Sequence, residues 1–182
     1  MNHHRPFELV VPVGTADHML GSEHAAVTVV EYGDFECPNC RQAAPVVRML
    51  LERFAGRARI AFRHFPLEEV HPHALTAALA AEAAAGQGKF WPMHDLLFDN
   101  QRHLKPPQIR SYAERLELDM ERYDAEMRDT VYLQRVREDI EGGNLSGVRA
   151  TPTFFVNGRL QDISYGLQAL EQGIEAALRP KK

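Results

Sequence analysis

Apolar positions along this chain change their spacing several times, and each change marks an element. Val27–Tyr32 (VTVVEY) is a run of β-branched and aromatic residues, the mark of a central strand, broken only by Glu31. After Cys40 the period lengthens: Val46, Val47, Leu50, Leu51 and Phe54 recur at helical spacing. Pro45 falls inside this helix and is expected to kink it, and Gly56 ends it. Arg59–Phe65 (RIAFRHF) returns to a strand pattern and stops at Pro66. Strand, helix, strand in this order favours parallel strands joined by a right-handed crossover. Upstream, Phe7–Val13 (FELVVPV) is a short strand candidate that Pro12 confines to an edge, and Gly14–Glu23 is polar and turn-like.

From His71 to Gly143 the pattern is helical throughout. Ala74–Ala85 is an Ala/Leu helix, and Phe90–Asp99 follows with Trp91, Met93, Leu96, Leu97 and Phe98. Pro106-Pro107 opens a helix over Gln108–Leu116; Asp119–Arg128 and Val131–Glu141 complete the block. Phe90, Trp91, Met93 and Leu97 fit a helical core better than a peptide-binding surface. Beyond the block, Thr153–Val156 and Arg159–Ile163 flank Asn157-Gly158, the strongest two-residue hairpin signal. Leu167, Leu170, Ile174 and Leu178 line one face of a closing helix. The order βαβ, helical block, ββα predicts an α/β protein. Its architecture is a thioredoxin fold with a helical domain inserted between the two halves. Residues 1–66 and 147–182 make the discontinuous thioredoxin-fold domain and 67–146 the insertion.

Composition narrows the function. The chain has 182 residues, 25% of them charged, and a net charge of -4. No basic run points to nucleic acid. No apolar run reaches the roughly 18–20 residues of a membrane span. The beginning, MNHHRPFELVVPVG, lacks the apolar stretch of a secretory signal, so a cytoplasmic location is expected, or a periplasmic or extracytoplasmic one if the chain is already mature. The final Arg179-Pro180-Lys181-Lys182 reads as a solvated end.

The chemistry-bearing residues are Cys37 and Cys40, the chain's two cysteines, in Cys37-Pro38-Asn39-Cys40. They stand where a strand gives way to a helix. A thiolate is the nucleophile of disulfide exchange, and a helix N-terminus with a C-x-x-C motif brings a thiol from about 8.5 to roughly 3.5–7.5. Cys37 attacks and Cys40, one turn further in, resolves the mixed disulfide. Pro38 suits the first helical turn. Competing readings are a structural disulfide, disfavoured because two intervening residues close little chain, and a zinc site, which needs further ligands such as His64, His71 or His73. Glu31, six residues before Cys37, is costly in an apolar strand; a buried acid there, with a raised pKa, can exchange the proton of Cys40. The histidines His64, His71, His73 and His94 read as structural or exposed, with His64 nearest the motif strand.

The stretches EYGDFECPNC (31–40), FRHFPL (62–67), FWPMHDLLF (90–98) and GVRATPTFFVNG (147–158) resemble the DsbA-like proteins of the thioredoxin superfamily along nearly the whole chain. The resemblance implies an exposed nucleophile at Cys37, a buried partner at Cys40, and the family's buried acid at Glu31. It implies a cis-proline at Pro152 facing the cysteines, and a Thr151 backbone that pairs with substrate. Strong oxidants of that family often hold a histidine between the cysteines; Asn39 stands there, which predicts a less oxidising couple. Ala150 replaces a frequent glycine. The resulting expectation is a protein thiol–disulfide oxidoreductase without metal or organic cofactor. Its partners would be protein or peptide thiols and disulfides and an unidentified redox partner, with no nucleic acid and no membrane insertion. The alternatives are a small-molecule thiol or peroxide enzyme, a redox-idle binding or chaperone module, and a zinc-bridged dimer.

Overall fold

The computed structural model describes residues 7–180. Among them the chain forms five strands and seven helices. In order these are β1 His18–Gly21, β2 Val27–Gly33, α1 Pro38–Arg53, β3 Ala58–His64, α2 Ala74–Ala85, α3 Phe90–Asp99, α4 Pro106–Arg115, α5 Met120–Arg128, α6 Leu133–Leu145, β4 Thr153–Val156, β5 Arg159–Leu160 and α7 Gln168–Leu178. They group into two compact units. One holds the chain up to Gly33, Gln42–Arg63, and the chain from Glu141 on; the other holds Asp34–Arg41 and His64–Ile140. Residues 1–6, the first part of MNHHRPFELVVPVG, and the last two lysines lie outside the described residues.

The first unit is built on a sheet of strand order β1-β3-β2-β4-β5. β2 is interior because its valines leave water on both faces: Val27, Val29 and Val30 are all buried. β4 pairs with it antiparallel, Val29 opposite Val156 and Tyr32 opposite Thr153. The turn between β4 and β5 is Asn157-Gly158, both at positive φ (46° and 81°), as a twist-matched hairpin requires. The Asn157 side chain also accepts from Thr28 N at 2.8 Å, fastening the turn to β2. α7 lays Leu170 and Ile174 against this sheet. From Gln42 on, α1 buries Ala43, Val47 and Leu50, a stripe that Phe54 just past its end continues, and runs as one helix through Pro45.

The beginning of the chain departs from expectation. Phe7–Val13 forms no strand; it contributes one isolated bridge, Glu8 to Arg159. Phe7 O and Leu9 N bond to Leu160 N and Gly158 O, but beyond them the polar groups are claimed elsewhere: Val10 N donates to Ser146 Oγ, and the Val11 and Pro12 carbonyls accept from Arg63. The edge strand is instead His18–Gly21, inside the stretch expected to turn, in antiparallel register with β3. β5 likewise stops at Leu160, short of Ile163.

Arg63 organises this end of the unit. Its five N–H groups donate to both Asp17 oxygens (2.7 and 3.0 Å), Val11 O, Pro12 O and Tyr32 Oη. Burial alone lowers a guanidinium pKa, but the bonds to Asp17 and Tyr32 outweigh it and hold Arg63 above its ordinary value.

The second unit is helical. α2 is mostly alanine and leucine, with Glu82 buried among them, and its alanines let α3, α4 and α5 approach closely. Phe90, Met93, Leu97 and Phe98 of α3 are buried, so that face is core, while Trp91 is half-buried. α5 starts at Met120, with the Asp119 side chain accepting from Arg122 N as its cap. α6 begins at Leu133 rather than Val131, after Thr130, at a φ of 48°, has turned the chain out of α5. Among the described residues no helix is long and apolar enough to cross a membrane.

Candidate active site

In the first unit, the sheet brings Glu31 and Thr151-Pro152 to the same end of the β2–β4 pair. Glu31 lies opposite Phe154, and Thr151-Pro152 leads directly into β4. Glu31 is buried, 3% exposed, so it does not turn to solvent at the strand end. The Thr151–Pro152 peptide is cis; Thr151 is buried and Pro152 half-buried. Gly33 closes β2 where nothing larger fits: a Cβ there would stand 2.5 Å from the Phe62 ring.

The second unit holds the cysteines, and its structure explains how they are presented. Phe35 is fully buried against Phe98 and His94, with ring centroids 5.0 and 5.7 Å away. This anchors the turn that carries the motif among the helices. Cys37 N donates to Asp34 O at 3.1 Å and Cys37 O accepts from Arg41 N at 3.2 Å, the first bond of α1. Cys37 is therefore the residue just outside the helix, with Pro38 as its first residue. Pro38 and Asn39 are exposed. Cys40 is 0% exposed and Cys37 5%, so the nucleophile expected to be exposed is itself largely covered.

Two features escaped sequence reasoning. The Asp34 side chain is wholly buried and pairs with His71 (2.7 Å to Nδ1). Gln101, just past α3, donates from Nε2 to the carbonyls of Phe35 (2.9 Å) and Cys37 (2.8 Å), clamping the turn from the other side. Asp34-Phe35-Glu36 carries an Asx-turn signal, with Asp34 Oδ1 accepting from Glu36 N. That signal alone marked Asp34; nothing local marks His71 or Gln101. His64, the histidine singled out by position, is buried and bonded to Glu82 at 2.7 Å within the helical unit.

With this geometry described, comparison with known proteins is informative. The Thioredoxin family profile matches residues 14–176. The chain belongs to that family. Among solved structures, this thioredoxin-family chain is similar to BdbD from Bacillus subtilis, with a TM-score of 0.85, 22% identity, and coverage of 96% of this chain and 98% of that one. It is also similar to a thioredoxin-like oxidoreductase from Silicibacter pomeroyi, with a TM-score of 0.81, 25% identity, and coverage of 92% and 95%. The resemblance to DsbA-like proteins thus holds for the fold, one that thiol–disulfide oxidoreductases use. A curated relative in Salinispora arenicola, 50% identical over 180 residues, is named a Na(+)/H(+) antiporter NhaA 1. The match covers 96% of this chain and 28% of that protein, so the chain spans little more than a quarter of such relatives' length.

Proposed function

We propose that the chain is a protein thiol–disulfide oxidoreductase that exchanges disulfides through Cys37 and Cys40. The observation supporting this most directly is a C-P-N-C stretch at the N-terminus of α1 in a thioredoxin-family fold. The helix N-terminus stabilises a Cys37 thiolate. That thiolate attacks a substrate disulfide, forming a mixed disulfide and releasing one substrate thiolate. Cys40 then attacks Cys37, the protein pair closes as a disulfide, and the second substrate sulfur leaves as a thiol. Run backwards, the same steps oxidise a dithiol substrate. Glu31 takes or returns the proton of the resolving thiol, and Thr151 and Pro152 bind the substrate chain. Asn39, neutral and exposed, makes the couple less oxidising than a histidine would. Whether the net flow is oxidation, reduction or isomerisation follows from the potential and the redox partner.

The compartment also enters this reading. The cytoplasmic location expected from the sequence has no support in the comparisons. We place the reaction on the extracytoplasmic side, where protein disulfides persist. The high identity to proteins named Na(+)/H(+) antiporters favours a second reading for the partner: the module exchanges thiols on, or beside, an ion-exchanging membrane protein.

Insulin reduction and oxidative refolding of a reduced model protein test the activity. Wild type is expected to catalyse both, Cys37→Ser neither, and Glu31→Gln both more slowly with the fold intact. A wild type as inert as Cys37→Ser would sink the proposal. Cys40→Ser, which strands the mixed disulfide, tests the partner: trapped species confined to non-membrane proteins would remove the antiporter reading.

A further inference from the structure

Asp34 touches both cysteines with its main chain and is pinned by its side chain. Its carbonyl accepts from Cys37 N at 3.1 Å, and its N–H donates to Cys40 Sγ at 3.5 Å. Its carboxylate is fully buried, a costly position unless every oxygen is met by donors. Oδ1 accepts from Glu36 N at 2.8 Å, closing a turn on its own stretch. Oδ2 accepts from Leu67 N at 2.9 Å and from His71 Nδ1 at 2.7 Å, tying that turn to the segment before α2. Glu36 repeats the tie, its Oε2 accepting from His73 N at 2.6 Å.

We propose that Asp34, braced by His71, is a positioning residue for the resolving step: the pair holds the turn so that the Asp34 N–H points at the Cys40 sulfur. The inference rests on the reading of Cys37 and Cys40 as an exchanging pair. In the mixed disulfide, the Cys40 thiol gives up its proton and its sulfur bonds to Cys37. The bond from Cys37 to the substrate sulfur breaks, and that sulfur departs with the electron pair and takes up a proton. Protein thiols are oxidised and the substrate disulfide is reduced. An N–H donated to a sulfur acquiring negative charge is stronger than one donated to a neutral thiol. The bond therefore tightens toward the transition state and accelerates resolution. The first attack, by Cys37, does not use it. His71 is 18% exposed, so the brace can be altered with less disturbance than the buried carboxylate.

Oxidised glutathione is the probe. The reduced full chain is mixed with it and acid-quenched, and mass spectrometry separates the reduced, glutathionylated and internally disulfide-bonded forms, giving a rate for each step. Asp34→Asn keeps one accepting oxygen for Glu36 N but turns an amide toward Leu67 N and His71. Asp34→Asn and His71→Phe are expected to slow resolution about tenfold while attack changes less than about twofold, so that the glutathionylated form accumulates. His71→Asn, whose amide nitrogen replaces Nδ1, is expected to recover most of the rate. Unchanged resolution, equal slowing of both steps, or no difference between His71→Asn and His71→Phe would overturn the proposal. If Asp34→Asn does not fold, the two His71 variants decide the matter. A wild type that forms neither mixed nor internal disulfide would instead defeat the underlying exchange reading, whatever the variants do.

Discussion

Each compact unit contains a buried carboxylate matched to a basic side chain, and the two pairs are built differently. Asp17 and Arg63 form a closed pair: the guanidinium uses all five donors on two carboxylate oxygens, two carbonyls and a phenol. Asp34 and His71 form an open one: a single imidazole nitrogen, two main-chain N–H groups, and a histidine edge that reaches solvent. A guanidinium is always charged and its fork is rigid, so the first pair can only hold. The second pins a turn whose main chain meets both cysteines. Similar buried chemistry serves architecture in one unit and, on our reading, reaction geometry in the other.

The contrast can be broken at its strong end first. Arg63→Met leaves Asp17 buried without its partner and is expected to cost about 3–5 kcal/mol of unfolding free energy. Asp17→Leu added to Arg63→Met should return much of that loss. Chemical denaturation measures both, and a loss below about 1 kcal/mol for Arg63→Met would show that the closed pair holds little. A smaller effect is expected at the motif. Asn39→His places a donor beside the thiolate and should move the Cys37/Cys40 potential about 30 mV toward oxidation, a tenfold change in the exchange equilibrium with glutathione. No shift, or one of opposite sign, would discard the electrostatic account of position 39.

The smallest effect at neutral pH concerns a neutral buried group. Burial in the helical unit pushes the Tyr123 phenol from 10.0 up to about 12. Because the folded value is the higher one, this tyrosine's contribution is complete below pH 10 and is lost as pH rises toward 12. Tyr123→Phe should flatten stability across that window and leave it nearly unchanged at pH 7. An equal alkaline loss in both proteins would assign the effect elsewhere.

Legibility in the sequence followed the range of the interactions. β2, α1, α2, α3 and the Asn157-Gly158 turn were readable because period and turn chemistry are local. The expected limits of α2 and α3, 74–85 and 90–99, are the observed ones. β1 was not readable: His-Met-Leu-Gly has no alternation, and its strand state comes from register against β3, some forty residues on. FELVVPV looked more like a strand, yet Ser146 and Arg63 take the polar groups of Val10, Val11 and Pro12, and only Phe7 and Leu9 bond to the hairpin. Among the residues proposed to act, Cys37, Cys40 and Glu31 were visible as residue types in telling places. Asp34 and His71 are 37 positions apart and meet only in the fold. The burial of Cys37 was also invisible, since burial is set by tertiary packing rather than by local pattern.

The exposure of Pro38 and Asn39 between two buried cysteines bears on how such a protein can be altered, by evolution or at the bench. Asn39 is exposed, so exchanging its side chain removes no core contact, whereas Gly33, a few residues away, admits not even a methyl group. Driving force and robustness are therefore separate axes in this chain. A full set of substitutions at position 39 should spread widely in redox equilibrium while clustering in melting temperature, so a lineage entering a more oxidising or more reducing niche has a dial it can turn without first securing extra stability.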